Sequence, residues 1–481
     1  AHPQLAAIML LEIQVERAIV RGHAQLVGEA VEVQLETHLS SRGQSRLAGA
    51  GISFAGELRE CEWYESVRSR NPRACGLRAT ENERRYLLCI RRPSLKMSSL
   101  AVVAQLLCAW VPPQLRSSDV RTPRPAGRRT GLLVASADDH DILLRVARGE
   151  SASRTPVWLM RQAGRYMADF RAYSDRYPFR QRSETPEIAI ELSLQPWRSF
   201  GVDGIIMFSD ILTPLPALGI DFDVVKGTGP VIGAPLRSME DVSAMTPLDD
   251  IDAKLPFLRE ILGSLRREAE GKTTLLGFVG SPFTLVAYAV EGQANRHCIH
   301  SKKMMQVAPD VLHAALDKMA DAVGAYACHQ IECGAQVVQF FESWAHHLGP
   351  TQWQTYAKPY ADRAMAYVRA RHPETPIMYY ANGGSAYLHL QSDLQCDMIS
   401  LDWAADMEHA RATLGADRLV QGNVDPTVLF GTDEQIRTAV HDCIRKAGGK
   451  GHILNLGHGV LQGTPERAVQ AFVDAAKEVE L

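Results

Sequence analysis

The chain has 481 residues, 46% hydrophobic and 22% charged, the composition of a globular protein with a sizeable core. Its formal net charge of −3 offers no global basic field for nucleic acid or an anionic membrane. No apolar run approaches the ~20 residues of a spanning helix, and nine scattered cysteines without a C-x-x-C pair point to reduced, buried thiols rather than a zinc ribbon or disulfide framework.

Residues 1–96 give no dependable alternation of strand and helix, apart from an amphipathic stretch over 7–35, and read as an unstructured or non-native extension. Residues 97–135 start at Met97 and are rich in Ser and Arg, with Asp119 as the single acidic residue. That is the composition of an organelle transit peptide, and equally of a disordered linker. The transit reading predicts a plastid location; a cytoplasmic one is the alternative.

From about residue 136 short apolar runs recur: Val157–Met160, Gly204–Phe208, Leu275–Val279, Val337–Phe341, Ile377–Tyr380, Met398–Leu401, Leu419–Gln421 and Ile453–Leu456. Helix signals lie between most of them. Thr185-Pro186-Glu187 is a cap followed by a first-turn proline, and that helix is expected to stop near Gly201. Leu312, Leu316, Met319 and Val323 share one face of a long helix from Pro309 to about Gly334. Thr432 to Gln435 fits a capping box with Gly448 as the stop, and Thr464-Pro465-Glu466 opens the last helix. Eight runs alternating with helices predict an α/β fold, a (β/α)8 TIM barrel over 136–481 preceded by a poorly structured N-terminal extension. The long second and third connections should carry extra elements. An open doubly wound sheet would want a G-x-G-x-x-G after its first strand, and "RQAGRYM" is not one.

Loops after strand C-termini build the site of such a barrel, and polar residues crowd those positions. They are Arg161 and Arg165, Ser209-Asp210, Ser281, Glu342-Ser343, Asn382, Asp402, Asn423-Asp425 and His458. Two arginines directly after a core strand, with small Ala163 and Gly164 between them, suit an anion, although surface ion pairs would use the same residues. Asp210 follows an apolar strand, so its carboxylate either meets positive charge developing on a ligand or braces an arginine; an Asx-turn is the plain alternative. His458 lies between two glycines that let a ligand approach. Tyr288, one turn into a helix, reads first as packing, and Ser343 could cap a helix or bind substrate. Adjacent His346 and His347 should face different ways and make a poor metal pair. No metal-site, P-loop or nucleophile-elbow pattern occurs, so neither metal nor cofactor is demanded.

"PVWLMRQAGRYM", "GIIMFSDILTPLPALGIDFD", "GFVGSPFTLVAYAVEG", "GAQVVQFFESWA", "VQGNVDPTVLF" and "GHILNLGHGVLQGTPE" together resemble the uroporphyrinogen decarboxylase family over residues 138–478, in its plastid or cyanobacterial wording. The resemblance implies a cofactor-free, metal-free homodimer with facing clefts. It would remove four acetate carboxyls from uroporphyrinogen III to give coproporphyrinogen III, a step toward heme and chlorophyll. It implies that Arg161 and Arg165 bind substrate carboxylates, that Gln162, Ala163 and Gly164 line the cleft, and that Asp210 contacts the pyrrole N–H groups. Tyr288, Ser343 and His458 complete the implied site, with Asp210, Arg161 and Tyr288 as its catalytic members. The proton donor stays open between Arg161, a substrate carboxyl and a water relayed by Arg161.

Phe283 stands where tryptophan is common, His346-His347 replace a usually smaller stretch, and Arg171 or Arg176 could be a further loop arginine. One rival is a corrinoid-dependent methyltransferase, which needs zinc and a His/Cys ligand set that the terminal "NLGHGVLQGTP" does not offer. The other is a non-catalytic tetrapyrrole-binding protein.

Overall fold

The computed structural model describes residues 140–225 and 227–481, so the expectations for 1–96 and 97–135 lie outside the described residues. The strands are β1 (Gly204–Ile206), β2 (Phe222–Val225), β3 (Gly229–Ile232), β4 (Thr274–Gly280), β5 (Val337–Glu342), β6 (Ile377–Ala381), β7 (Met398–Ser400), β8 (Leu419–Gln421) and β9 (His452–Ile453). Seven of them form one parallel sheet in the order β1-β4-β5-β6-β7-β8-β9.

The first apolar run closes this sheet without being a regular strand. Val157 makes a single parallel bridge to Leu454, and on the other side the Asp203 N–H donates to the Val157 carbonyl at 2.7 Å. Side chains take the N–H groups that a ladder would use. Asp203 accepts from Val157 N at 2.8 Å while holding Arg154 through two bonds of 2.7 and 2.8 Å, and Asn455 Oδ1 accepts from Met160 N at 2.9 Å. The predicted eighth stave is therefore present, joined by a seam of side chains. The last strand is also shorter than expected, and beyond Ile453 its pairing continues only as bridges at Leu454 and Leu456.

Alternation along the strands separates two apolar layers. Trp158, Met160, Leu276, Val337, Met378, Tyr380, Met398 and Ile453 fill the barrel, whose N-terminal end is plugged by Leu143, Leu144 and Val146 of helix Ile142–Ala147. Val338, Phe340, Tyr379, Ile399 and Val420 face the helices. The interior does more than pack: Trp158 Nε1 donates to Gln421 Oε1 at 2.8 Å, and Gln421 Nε2 donates to Gln339 Oε1 and Ser400 Oγ at 3.1 and 2.7 Å. Gln421 and Gln339 thus keep partners inside the barrel, which avoids a penalty of about 1–3 kcal/mol per orphaned group.

Helix Asp433–Ala447 starts at the expected capping box, with both reciprocal bonds made (Gln435 N to Thr432 Oγ1, 3.2 Å; Thr432 N to Gln435 Oε1, 2.9 Å), and stops at Gly448. It buries Ile436, Val440 and Ile444, each contributing roughly 1.5–3 kcal/mol. Helix Pro186–Phe200 begins after Thr185, whose hydroxyl makes no cap bond, and ends at left-handed Gly201. Helix Pro309–Glu332 buries Leu312, Leu316, Met319 and Val323 as predicted. The long connections hold the extra elements: the β2–β3 antiparallel hairpin and helix Phe257–Ala269 before β4, then helices Pro282–Glu291 and Ile299–Val307 before the Pro309 helix.

Candidate active site

Arg161 turns the chain at the end of the first stave with a φ of 57°, a left-handed conformation costing an L-residue roughly 1–2 kcal/mol. That turn lays the arginine stem across Gly459. A Cβ on Gly459 would stand 2.4 Å from Arg161 Cδ and 2.6 Å from Cγ, so only glycine leaves room for it. A Cβ on Gly457 would likewise meet the Trp403 backbone at 2.2 Å. The two glycines around His458 thus let other groups press against the loop, one of them the arginine itself.

Arg161 and Arg165 are exposed, and neither pairs with a carboxylate among the described residues. That removes the surface ion-pair reading for both. Between them, Gln162 departs from its expected place in the cleft lining. It is 1% exposed, its Nε2 donates to the Gly204 carbonyl at 3.0 Å and its Oε1 accepts from Leu159 N at 3.3 Å. The side chain belongs to the barrel seam. Ala163 and Gly164 are partly exposed. Arg171 folds back onto the carbonyls of Arg165 and Tyr166, at 3.0 and 2.8 Å, and so shapes this loop from behind.

Asp210, after β1, is half-buried. Its Oδ1 accepts from Leu212 N at 2.8 Å, the Asx-type bond of the plain reading. One N–H bond does not offset its surroundings: burial pushes the carboxyl above its usual range, against the pull of the Leu212 N–H and of Arg161. Asp210 is therefore a carboxylate short of stabilisation, close enough to Arg161 to feel it yet without an ion pair among the described residues.

Tyr288 sits nearly two turns into helix Pro282–Glu291, deeper than the one turn expected, with its ring 4.4 Å from that of Trp344. Burial raises its hydroxyl pKa; the Trp344 side chain, by a hydrogen bond, and Arg161 lower it, and Asp210 raises it. Burial, Arg161 and His346 push His458 down to about 4, against Asp402, so its imidazole is neutral near pH 7. Arg161 is the hub that brings Asp210, Tyr288 and His458 into one electrostatic neighbourhood. Ser343 is partly exposed, and its carbonyl accepts from Asn382 Nδ2 at 3.1 Å.

Several other polar residues at the strand ends serve the fold. Glu342 alternates with inward Phe341 and so faces the helix layer, where it bonds Thr284. Asn423 Nδ2 donates to the Asp402 and Ala405 carbonyls at 2.8 and 2.7 Å, Asp402 accepts from Ser385 Oγ at 2.7 Å, and Asp425 caps the turn at Thr427. Tyr380 was hidden in the sequence as one more apolar strand residue. Its hydroxyl bonds the Gly457 carbonyl at 2.9 Å and lies 3.3 Å from His458 Nδ1. His346 and His347 also depart from expectation: the 3-10 turn Ala345–His347 brings their rings to 4.0 Å instead of splaying them. Among the described residues no group of three or more His, Cys, Asp or Glu is arranged to hold a metal.

The model of the uroporphyrinogen decarboxylase family matches residues 138–479. The chain belongs to that family. Uroporphyrinogen decarboxylase from Crocosphaera subtropica is 51% identical over 348 residues, 72% of this chain and 98% of the relative. The Picosynechococcus enzyme of the same name is 50% identical over 72% of this chain and 99% of its own length. A methyltransferase from Methanosarcina mazei, at TM-score 0.61 and 20% identity over 71% of this chain and 98% of that one, shares the fold. Within the uroporphyrinogen decarboxylase family the α/β barrel described above is thus the expected architecture.

Proposed function

We propose that this cleft decarboxylates uroporphyrinogen III, releasing four acetate carboxyls as CO2 and leaving coproporphyrinogen III. The observation that carries the reading is Asp210, an under-stabilised half-buried carboxylate after β1 that feels Arg161 yet forms no ion pair with it. About 50% identity to named decarboxylases over nearly their whole length supports the same chemistry.

An acetate on a neutral pyrrole cannot lose CO2 readily, because the electron pair of the breaking C–C bond has no acceptor. Protonating the ring carbon beside the acetate makes an iminium. The C–COO⁻ bond then breaks, its electrons enter the ring as an exocyclic methylene forms, and CO2 leaves. A proton delivered to the methylene gives the methyl group, and the ring carbon returns its own proton, so each cycle consumes one proton.

In this reading Asp210 accepts the pyrrole N–H groups and becomes better matched as they turn cationic, a stabilisation fixed before the reaction begins. Every 1.4 kcal/mol of such preference gives about tenfold in rate. Arg161 and Arg165 take substrate carboxylates, and Arg161 either donates the proton or orients the water or substrate carboxyl that does. Ala163 and Gly164 keep the floor between the arginines low, while Gln162 positions Arg161 through the seam. Tyr288, Ser343 and His458 contact the macrocycle or its carboxylates, His458 as a neutral hydrogen-bonding imidazole.

A homodimer with facing clefts is part of the same reading; exposed Trp403 and Phe430, on the loops after β7 and β8, suit that face. Sedimentation measures it. Residues 97–135 would direct the chain to a plastid and 136–481 would be the working domain. Peptides from 1–96 in the mature endogenous protein would remove the transit reading. The decisive experiment is anaerobic incubation of the purified chain with uroporphyrinogen III under reducing conditions. Coproporphyrinogen III is the expected product; substrate left intact would refute the activity.

A further inference from the structure

Beside the residues given roles above, the cleft rim carries one more imidazole. His346 is exposed on the turn after β5, and Asn382, after β6, stands next to it. Asn382 Nδ2 donates to the Ser343 carbonyl at 3.1 Å and reaches His346 Nδ1 at 3.2 Å. Flipping this amide would set its oxygen against the Ser343 carbonyl, two acceptors in contact, so Nδ2 is fixed on that side. With Nδ2 as the donor, His346 Nδ1 must accept. A neutral imidazole then carries its hydrogen on Nε2 and offers it as a donor.

Asn382 Oδ1 lies 3.4 Å from the Tyr380 hydroxyl, which lies 3.3 Å from His458 Nδ1. His346, Asn382, Tyr380 and His458 thus lie in one row of polar groups at the strand ends, with the Tyr380 hydrogen on the Gly457 carbonyl. A Cβ on Gly383 would stand 2.6 Å from His346 Cβ, so the glycine lets the turn seat closely. Lys302, on helix Ile299–Val307, acts on both His346 and His347, His297 acts on His347, and His346 itself acts on His458. Burial and Lys302 hold the His346 imidazole below its usual pKa. The rim is rich in donors and cations.

We infer that His346 binds a peripheral carboxylate of the tetrapyrrole through its Nε2 hydrogen, extending the anion-binding row of Arg161, Arg165 and His458 across the ends of β5 and β6. This rests on the uroporphyrinogen reading above. Its role is substrate binding and specificity, with Asn382 as the positioning residue that sets the tautomer.

The test measures KM and kcat for uroporphyrinogen III in the wild type, His346→Ala and His346→Gln, with thermal melts to check that each variant is folded. His346→Ala should raise KM about tenfold, equal to about 1.4 kcal/mol, with a smaller fall in kcat. His346→Gln keeps an N–H donor and should recover at least half of that loss. Wild-type turnover with a KM in His346→Ala within about twofold of wild type overturns this inference alone, as does a glutamine variant no better than alanine. No turnover in the wild type overturns the decarboxylase reading and this one with it.

Discussion

Replacing Glu342 with glutamine should change how stability depends on pH. The carboxyl is fully buried at the end of β5; one oxygen takes the Thr284 hydroxyl and the other has no hydrogen-bond partner among the described residues. Burial pushes its pKa from 4.5 to about 8, more than bonds to Thr284 pull it back. Since the folded pKa lies above the unfolded one, the native state holds the proton more tightly. The resulting stability is complete below about 4.5 and is lost as pH rises toward about 8. Inside that window one such group removes about 1.4 kcal/mol per pH unit. Glutamine keeps the shape but does not titrate, and it buries amide hydrogens at a cost of about 1–3 kcal/mol. Urea unfolding of both proteins at pH 5, 6, 7 and 8 reads the difference, with m checked for constancy. Wild type should be the more stable at pH 5, and the gap should close and reverse by pH 8. A gap independent of pH would refute the reasoning, because Glu342 would then share one protonation state in the folded and unfolded chains.

Asp210→Asn should lower kcat by about 10²–10³, the scale of losing one aligned charge-stabilising group, while KM changes little. The same variant should lose the acidic limb of the rate profile. That limb should lie above the ordinary carboxylate range in the wild type, because the raised Asp210 pKa means the ionised form disappears early as pH falls. A normal rate in this variant ends the proposed mechanism. Gly459→Ala would set a Cβ 2.4 Å from Arg161 Cδ. We expect kcat/KM to fall about tenfold or more with the melting temperature little changed, since the displaced group is a side chain rather than backbone. Arg165→Ala should raise KM about tenfold or more for loss of a charge-assisted bond of about 1.5–3 kcal/mol; an unchanged KM would exclude a carboxylate role.

Elements that declare themselves locally were legible in the sequence. The capping box at Thr432, the apolar face of the Pro309 helix and the strand-end positions of Arg161, Asp210 and His458 depend on neighbours within a few residues. The β2–β3 hairpin was foreseen only as unspecified extra structure, because Phe222–Ile232 mixes proline, glycine and charge without clean alternation. Gln162 and Glu342 were misread for a different reason. Both stand among functional residues in sequence, but direction decides their use: one turns into the seam, the other out toward the helices. His346 and His347 met because their backbone is a 3-10 turn, which regular-period reasoning does not supply. Gly459 read as room for a ligand to approach; its actual neighbour, Arg161, is almost three hundred residues away in the chain.

The first stave meets β1 through Asp203, Gln162 and little regular ladder. The two arginines ride on one lip of this junction, and Asp210 follows the strand on the other. Small opening there would pull the cations away from the carboxylate while leaving the remaining staves zipped. Thermal or chemical stress should accordingly silence the protein well before its helices melt, and a covalent staple across that junction would be the most direct way to harden it.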